Sequence, residues 1–280
     1  MKIIILGQTG LLGYTLNKYL KRKNNIVFSL NHINNNKKFY LTNINDFQKL
    51  KKIILNIKPD LIINCIVLKK ENLNKKKITY DLINTKLPMF LSKLCLKNKI
   101  FFIHISTDSV FSDTNGNYSE KDIKNPKDIY SLSKRKGEVK NEFTTTLRTS
   151  FVGPEYNTKK ALFSWFLNQK KQVNGFSNYY FTGLTTLEFC EIIYKFFIRE
   201  NNLYNKILNI GGKKISKYDL LLKISKIFKK KIKIKIKTYP KINRTLNNNK
   251  FLKLSKYKVK NWDTMLKNLK TFMHLNNYKC

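Results

Sequence analysis

Alanine is almost missing from this chain of 280 residues, occurring once at Ala161, and arginine occurs only at Arg22, Arg135, Arg148, Arg199 and Arg244. Acidic residues are sparse too: 17 Asp and Glu stand against 56 Lys and Arg, a formal net charge of +39. Asparagine, by contrast, occurs 35 times and lysine 51 times. The abundant types use A/T-rich codons and the rare ones GC-rich codons, so the charge reads first as drift in genome composition. A surface built to read nucleic acid exploits arginine forks, and no arginine-rich stripe or aromatic-basic motif occurs here; no specific nucleic-acid partner is expected. The four cysteines, Cys65, Cys95, Cys190 and Cys280, lie far apart without CxxC spacing, and His32, His104 and His274 are equally scattered. Neither a disulfide framework nor a metal site is written in that pattern. Apolar runs such as Leu61 to Ile63 are strand-length, far from the roughly 20 residues a membrane helix needs. The start, Met1 to Gly7, is too short for the apolar region of an export signal. A reducing, cytoplasmic setting with no membrane partner is therefore expected.

What is present suffices for a core, since 42% of residues are hydrophobic, more than a disordered polyelectrolyte carries. An apolar run over Met1 to Leu6 ends in a glycine turn, and Leu12, Leu16, Tyr19 and Leu20 follow at helical spacing. Further strand-like runs lie at Ile26 to Leu30, Leu61 to Ile66, Ile100 to Ile105 and Thr145 to Thr149. Helical patterns fall between them, at Phe47, Leu50, Ile53, Ile54, Ile57 and at Ile83, Leu87, Phe90, Leu91, Leu94. Strands alternating with helices predict an α/β fold with a doubly wound parallel sheet of Rossmann type, its ligands outside the carboxyl ends of the strands. The rhythm lengthens after about residue 153. We expect a dinucleotide-binding domain over 1–153 and a smaller substrate-binding domain over 154–280, with the stretch near 179–210 able to pack back on the first. The Lys/Ile alternation of Lys231 to Lys237 reads as an amphipathic strand with a solvated lysine face.

The first motif with chemical content is Gly7-Gln8-Thr9-Gly10-Leu11-Leu12-Gly13, between the first strand and the first helix. A tight turn and a close approach of backbone to a pyrophosphate both need residues without a Cβ, and the helix start supplies free N–H groups. Gly7, Thr9, Gly10, Leu11, Leu12 and Gly13 are accordingly cofactor-binding candidates. An NAD site usually carries an acidic residue at the end of the second strand. This chain has Leu30-Asn31-His32 there, and His32, Lys37 and Lys38 suit a 2′-phosphate, which favours NADPH and leaves NADH open.

Tyr130 and Lys134 are four apart on a predicted helix and so share one face. A phenol with an ordinary pKa near 10 exchanges protons poorly at neutral pH, and a nearby ammonium favours its ionised form. A polar cluster, Ser106-Thr107-Asp108-Ser109, stands at the end of an apolar strand 23 residues earlier. Ser106 and Thr107 have hydroxyls for a substrate carbonyl, while Asp108 either contacts substrate or braces the turn.

Together these motifs, with Asp60 to Cys65, Asn117-Tyr118-Ser119-Glu120, Gly137-Glu138 and Leu147-Arg148-Thr149-Ser150, resemble the extended short-chain dehydrogenase/reductases, and within them the dTDP-4-dehydrorhamnose reductase branch. The resemblance is dense over about the first 155 residues and thins beyond them. It implies reduction of a 4-keto-6-deoxy nucleotide sugar with NAD(P)H, as in dTDP-rhamnose synthesis for polysaccharides. Tyr130 would give the carbonyl oxygen a proton, Lys134 would lower its pKa and hold the nicotinamide ribose, and Thr107 would hydrogen-bond the same oxygen. Asn64, Cys65, Ile66 and Ser106 would line the cofactor crevice. Thr107, Asp108, Phe151 and Arg244 would face the substrate. Asn84 either supports the site or is a helix-surface residue, and Arg148 and Arg244 either brace the fold or contact the diphosphate.

The related 4,6-dehydratases carry Asp-Glu after the threonine, since water elimination needs its own acid and base. Here Ser109 follows Asp108, which argues for a reductase; an epimerase is less well excluded. The branch commonly has Tyr at Ser109, Gly at Ser131, Trp at Phe151 and an Asp within Phe39 to Thr42, so the substrate contacts are altered. A noncatalytic dinucleotide-binding regulatory subunit of the same fold is the other alternative. A homodimer is compatible with the resemblance.

Overall fold

The computed structural model describes residues 1–30, 46–68, 77–156 and 158–278. The expectations placed on His32, Lys37, Lys38 and on residues 39–42 lie outside those residues. Five short runs rich in apolar or β-branched residues form the centre: β1 (Lys2–Leu6), β2 (Ile26–Leu30), β3 (Leu61–Asn64), β4 (Phe101–Thr107) and β5 (Thr144–Thr149). All pair in parallel in the order β5, β4, β3, β1, β2, and a sixth strand, Ile207–Asn209, adds in parallel beyond β5. Ile3 to Leu6 and Leu61 to Ile63 are fully buried on both faces, as a parallel sheet covered on two sides requires. Each such side chain contributes roughly 1.5–3 kcal/mol through burial.

Alternation along β1 divides the core in two. Ile3 and Ile5 pack with Leu16 and Leu20 of α1 (Leu11–Lys21), while Ile4 and Leu6 pack with Leu50 and Ile54 of α2 (Phe47–Ile57). Asp46 starts α2 by accepting from the Lys49 N–H at 2.8 Å, and Lys58, at φ 51°, ends it ahead of Pro59. The next helical pattern is not uniform. After α3 (Lys77–Asp81) the chain makes a π-helical turn over Leu82–Lys86 before α4 (Leu87–Lys97). The wider turn buries Ile83, Asn84 and Thr85 in succession, which an α-helical period would not do. The chain runs from β1 outward to β2 and then crosses back past β1 to β3, so the strand order reverses there and a crevice opens at the carboxyl ends of β1 and β3.

Beyond residue 150 the chain does not stay on one side. Phe151–Val152 pairs with Leu184–Thr185, the helix Thr186–Ile193 packs on α1, and Ile207–Asn209 enters the main sheet. The remaining segments form a three-stranded sheet of Ile215–Ser216, Tyr179–Phe181 and Ile242–Asn243, with the helices Lys217–Ile227 and Trp262–Leu275. The alternating lysine segment contributes the strand Ile234–Lys237, parallel to Val173–Phe176, with its lysines exposed and Ile234 half-buried. Among the described residues no helix is long and apolar enough to cross a membrane.

Candidate functional site

The crevice begins at the glycine turn. Gly7 has φ +83°, and the Gly10 N–H closes the turn on the Gly7 carbonyl at 3.0 Å. A Cβ on Gly13 would overlap that same carbonyl oxygen, so the helix can start so close to the strand only with glycine there. No side chain caps α1, and its first turn presents free N–H groups and the positive end of the helix dipole. Thr9 and Gly10 are exposed at the tip, Leu11 is half-buried, and Leu12 is buried in the core. Leu12 therefore has only its backbone to offer a ligand. Across the crevice, Asn64 ends β3 and accepts from the Ile66 N–H at 3.1 Å. Asn84 accepts from the Leu68 N–H at 3.0 Å and donates to Leu68 O at 3.1 Å and Ser133 Oγ at 3.0 Å. It is a buried clamp between the loop after β3 and the helix α5 (Ile129–Lys136), not a surface residue. Half-buried Cys65 lies between, its thiol pushed up to about 12 by burial.

Helix α5 starts on Asp128, which accepts from the Ser131 N–H at 3.0 Å and from its hydroxyl at 3.1 Å. The serine standing where the branch usually has glycine is thus consumed locally. Tyr130 is half-buried; burial pushes its phenol up to about 12, against a hydrogen bond with Thr107 and the charge of Arg244. Lys134, one turn on, is buried and donates to Ile105 O at 2.7 Å, with His104 Nε2 at 3.3 Å. Burial brings its ammonium down to about 8, although Glu138 opposes the shift. His104, hydrogen-bonded through Nδ1 to Asn64 at 3.4 Å, is held neutral by burial and by Lys134. The sequence reading missed it. His104 stands two residues before Ser106 and hence on the same face of β4, and that spacing was the available signal.

Thr107 and Tyr130 meet, as just described, but two neighbours have other partners than expected. Ser106 donates to Glu138 Oε1 at 2.9 Å, which turns its hydroxyl away from a substrate carbonyl. Glu138 also receives Arg148 Nε at 2.7 Å, Arg148 Nη2 at 2.9 Å and Lys124 Nζ at 2.8 Å. Burial works against ionisation of Glu138, yet these bonds hold its carboxyl below the usual range. Arg148 is 1% exposed and lies over the Phe111 ring, so it braces the fold and does not reach a diphosphate. Asp108 is buried and bonded to the hydroxyls of Ser150 and Thr107, and burial raises its carboxyl pKa. Those bonds make it a brace of the turn. Phe151 is half-buried and packs edge-on against Phe189 at 4.9 Å, so part of its ring is committed to the core.

A second wall comes from distant segments. Tyr118 stacks on Phe111 at 4.7 Å, its N–H donates to Thr245 O at 2.9 Å, and Asn209 Nδ2 donates to Tyr118 O at 2.8 Å. This docking brings Arg244 against the loop after β4. Its guanidinium makes a forked pair with Asp113 at 2.5 and 2.8 Å and donates to Ser109 Oγ at 3.1 Å. The space beside Ser109, where the branch usually has a tyrosine, is thus occupied by an arginine from 135 residues away. Tyr179, hydrogen-bonded with Arg244, and Lys217 complete this wall. No local pattern announces Asp113, Tyr179 or Lys217.

A parallel sheet with a glycine turn at β1 and a Thr, Tyr and Lys set at the ends of β4 and α5 defines an extended short-chain dehydrogenase/reductase. The model of the RmlD substrate binding domain family matches residues 1–175, and the chain belongs to that family. Among solved structures, a dTDP-4-dehydrorhamnose reductase from Clostridium acetobutylicum superposes with a TM-score of 0.80 at 22% identity, covering 98% of this chain and 100% of that one. One from Bacillus anthracis, solved in complex with NADP, gives 0.80 at 19% identity, covering 96% and 98%. Curated relatives include methionine adenosyltransferase 2 subunit beta of Xenopus tropicalis, 28% identical over 138 residues, which is 49% of this chain and 41% of that protein. The chain thus matches less than half the length of that relative.

Proposed function

We propose that this chain reduces the 4-keto group of a nucleotide-linked 4-keto-6-deoxy sugar with a nicotinamide dinucleotide. The observation that carries the reading is the meeting of the Thr107 hydroxyl and the Tyr130 phenol at the carboxyl end of β4, one helical turn from buried Lys134. The dinucleotide fits the glycine turn, where a Cβ at Gly13 would fill the cradle and where α1 has no capping side chain. Backbone N–H groups of Leu11, Leu12 and Gly13 would hold the pyrophosphate, and Asn64, Cys65 and Ile66 would line the opposite side. When bound, the cofactor supplies the hydride. NADPH is the preferred form, on His32, Lys37 and Lys38.

Tyr130 has a proton to give at neutral pH, because burial holds its phenol near 12. A carbonyl oxygen becoming an alkoxide is a base strong enough to take it. Thr107, hydrogen-bonded with that phenol and donating to Asp108 Oδ1 at 3.1 Å, would turn its hydroxyl to the same oxygen on substrate binding and stabilise its developing charge. Once the proton has left, the charge that favours the phenolate is that of Arg244 and not, as expected from the helical spacing, that of Lys134, whose ammonium is turned to Ile105 O and His104. Ile105 O, His104 and Asn64 fix Lys134 in place, and Asn84 fixes α5 against the crevice wall.

NADPH oxidation with enzymatically made dTDP- and UDP-4-keto-6-deoxy sugars tests this. Tyr130→Phe is expected to lose turnover by about 10²–10⁴-fold while keeping dinucleotide affinity. An epimerase would interconvert sugars without net oxidation. A second reading, a dinucleotide-binding subunit without turnover, is favoured by the resemblance to the methionine adenosyltransferase subunit beta. Dinucleotide binding with no oxidation of NADPH by either sugar would put that reading first.

A further inference from the structure

The wall built from distant segments contains a half-buried cation, Lys217, that makes no salt bridge among the described residues. Lys217 Nζ sits 3.5 Å from the centroid of the Tyr179 ring, and Arg244 Cζ lies 5.8 Å from the same centroid. The Arg244 charge is met by the forked pair with Asp113. Lys217 has no such partner among the described residues. Asp219, two residues along, is turned to Ser216 Oγ at 2.6 Å, and Asp108 is engaged by Ser150, Thr107 and Ser109.

An unpaired lysine is commonplace in a chain with 51 of them, but most are solvated and Lys217 is half-buried. A ring face attracts an ammonium without cancelling its charge, and the neighbouring guanidinium repels it. Desolvating a cation in that way is costly unless something negative arrives. Burial and Arg244 accordingly bring its ammonium down to about 8, although the Asp108 carboxylate opposes the shift. Arg244 reaches Ser109 Oγ at 3.1 Å beside Thr107 and shares the Tyr179 ring with Lys217, so it links the reacting end of the site to this ammonium. An anion held at Lys217 would sit beside the sugar, set back from the reacting carbonyl.

We infer that Lys217, held over Tyr179, is a substrate-binding residue that receives the diphosphate of the nucleotide-sugar substrate. The assignment rests on the reductase reading above. Calorimetric titration of the full chain with dTDP, UDP and thymidine, for wild type, Lys217→Met and Lys217→Arg, tests it, with NADPH affinity as the check that each variant is folded. Lys217→Met is expected to weaken dTDP binding about tenfold to a hundredfold, the scale of one charge-assisted contact, and to leave thymidine and NADPH binding unchanged. Lys217→Arg should stay within about threefold of wild type, since it keeps the charge. In turnover, the loss should fall on KM with kcat unchanged. If Lys217→Met does not bind NADPH, Lys217→Gln is read in its place. Equal dTDP affinity in wild type and the neutral variant overturns the assignment and leaves the reductase reading standing. Wild type that binds NADPH but neither dTDP nor UDP overturns both.

Discussion

The two walls of the crevice are built by different means. On the β1, β3 and β4 side, groups are buried and linked by short bonds within about the first 150 residues: Asn64 to His104, His104 to Lys134, Asn84 to Ser133, Glu138 to Arg148. On the other side, Ser109 and Asp113 meet Arg244, 135 and 131 residues away, and the ion pair is partly open to solvent. Buried networks of this sort tolerate little change, because each member left unpaired costs its full desolvation. A rim pair that solvent can replace is free to vary. The first wall therefore suits the constant part of a reaction and the second the part that distinguishes substrates.

That contrast predicts its own largest effect. Glu138→Gln leaves the Arg148 guanidinium, 1% exposed, without a counter-charge. Losing one partner of a buried pair costs roughly 3–5 kcal/mol, which a shift in the denaturant midpoint at constant slope would show. An effect under about 1 kcal/mol would mean that the first wall is not the rigid one. Next comes Gly13→Ala, whose methyl overlaps the Gly7 carbonyl. The turn must open to admit it, and dinucleotide affinity is expected to fall by about a hundredfold, near 2.7 kcal/mol, as measured by calorimetry.

A titration supplies the third test. Lys134 ionises near 8 in the folded chain and near about 10.4 when unfolded. Between those values the unfolded chain binds a proton that the folded chain lacks, so stability rises with pH, by up to about 1.4 kcal/mol per unit. Tyr130 acts oppositely but later, since its folded pKa is raised to about 12 and the folded chain retains a proton from about pH 10 upward. Read between pH 8 and 10, wild type should gain stability relative to Lys134→Met. A flat difference across that window would mean that Lys134 is already solvated.

The same contrast explains what could be read from the residues alone. The strands, the glycine turn and the Thr107, Tyr130 and Lys134 set are local patterns, because period-2 and period-3.6 burial and close backbone approach leave marks over a few residues. The first-wall partners were half legible: Glu138 and Arg148 sit in recognisable motifs, yet nothing local says that they pair, and Asn84 looked equally like a surface residue until the π-helical turn buried it. The second wall was illegible. Arg244 stood out as a rare arginine, but its pairing with Asp113 depends on the docking of Tyr118 against Thr245, a long-range event without periodicity. The stretch near 179–210 is legible as one able to pack back on the first domain, but the pairing of Ile207–Asn209 with β5 is a long-range event of the same kind.

Asp113→Asn gives the smallest effect and the sharpest test of the division. Asp113 is 43% exposed and Arg244 19% exposed in their side chains, so water can take over much of what the carboxylate provides, and exposed pairs contribute about 0–1 kcal/mol. Stability should therefore change by less than about 1 kcal/mol, against the larger loss at Glu138. The site should respond differently. Arg244 would lose the fork that neutralises and aims it, leaving a second uncompensated cation beside Tyr179 and Lys217. Binding of an anionic nucleoside diphosphate should then hold or tighten, while discrimination between dTDP- and UDP-linked substrates, read from the ratio of their kcat/KM values, should shrink. A variant that unfolds as readily as Glu138→Gln would erase the distinction between the walls. One that keeps its stability and changes only that ratio would place substrate choice in the second wall.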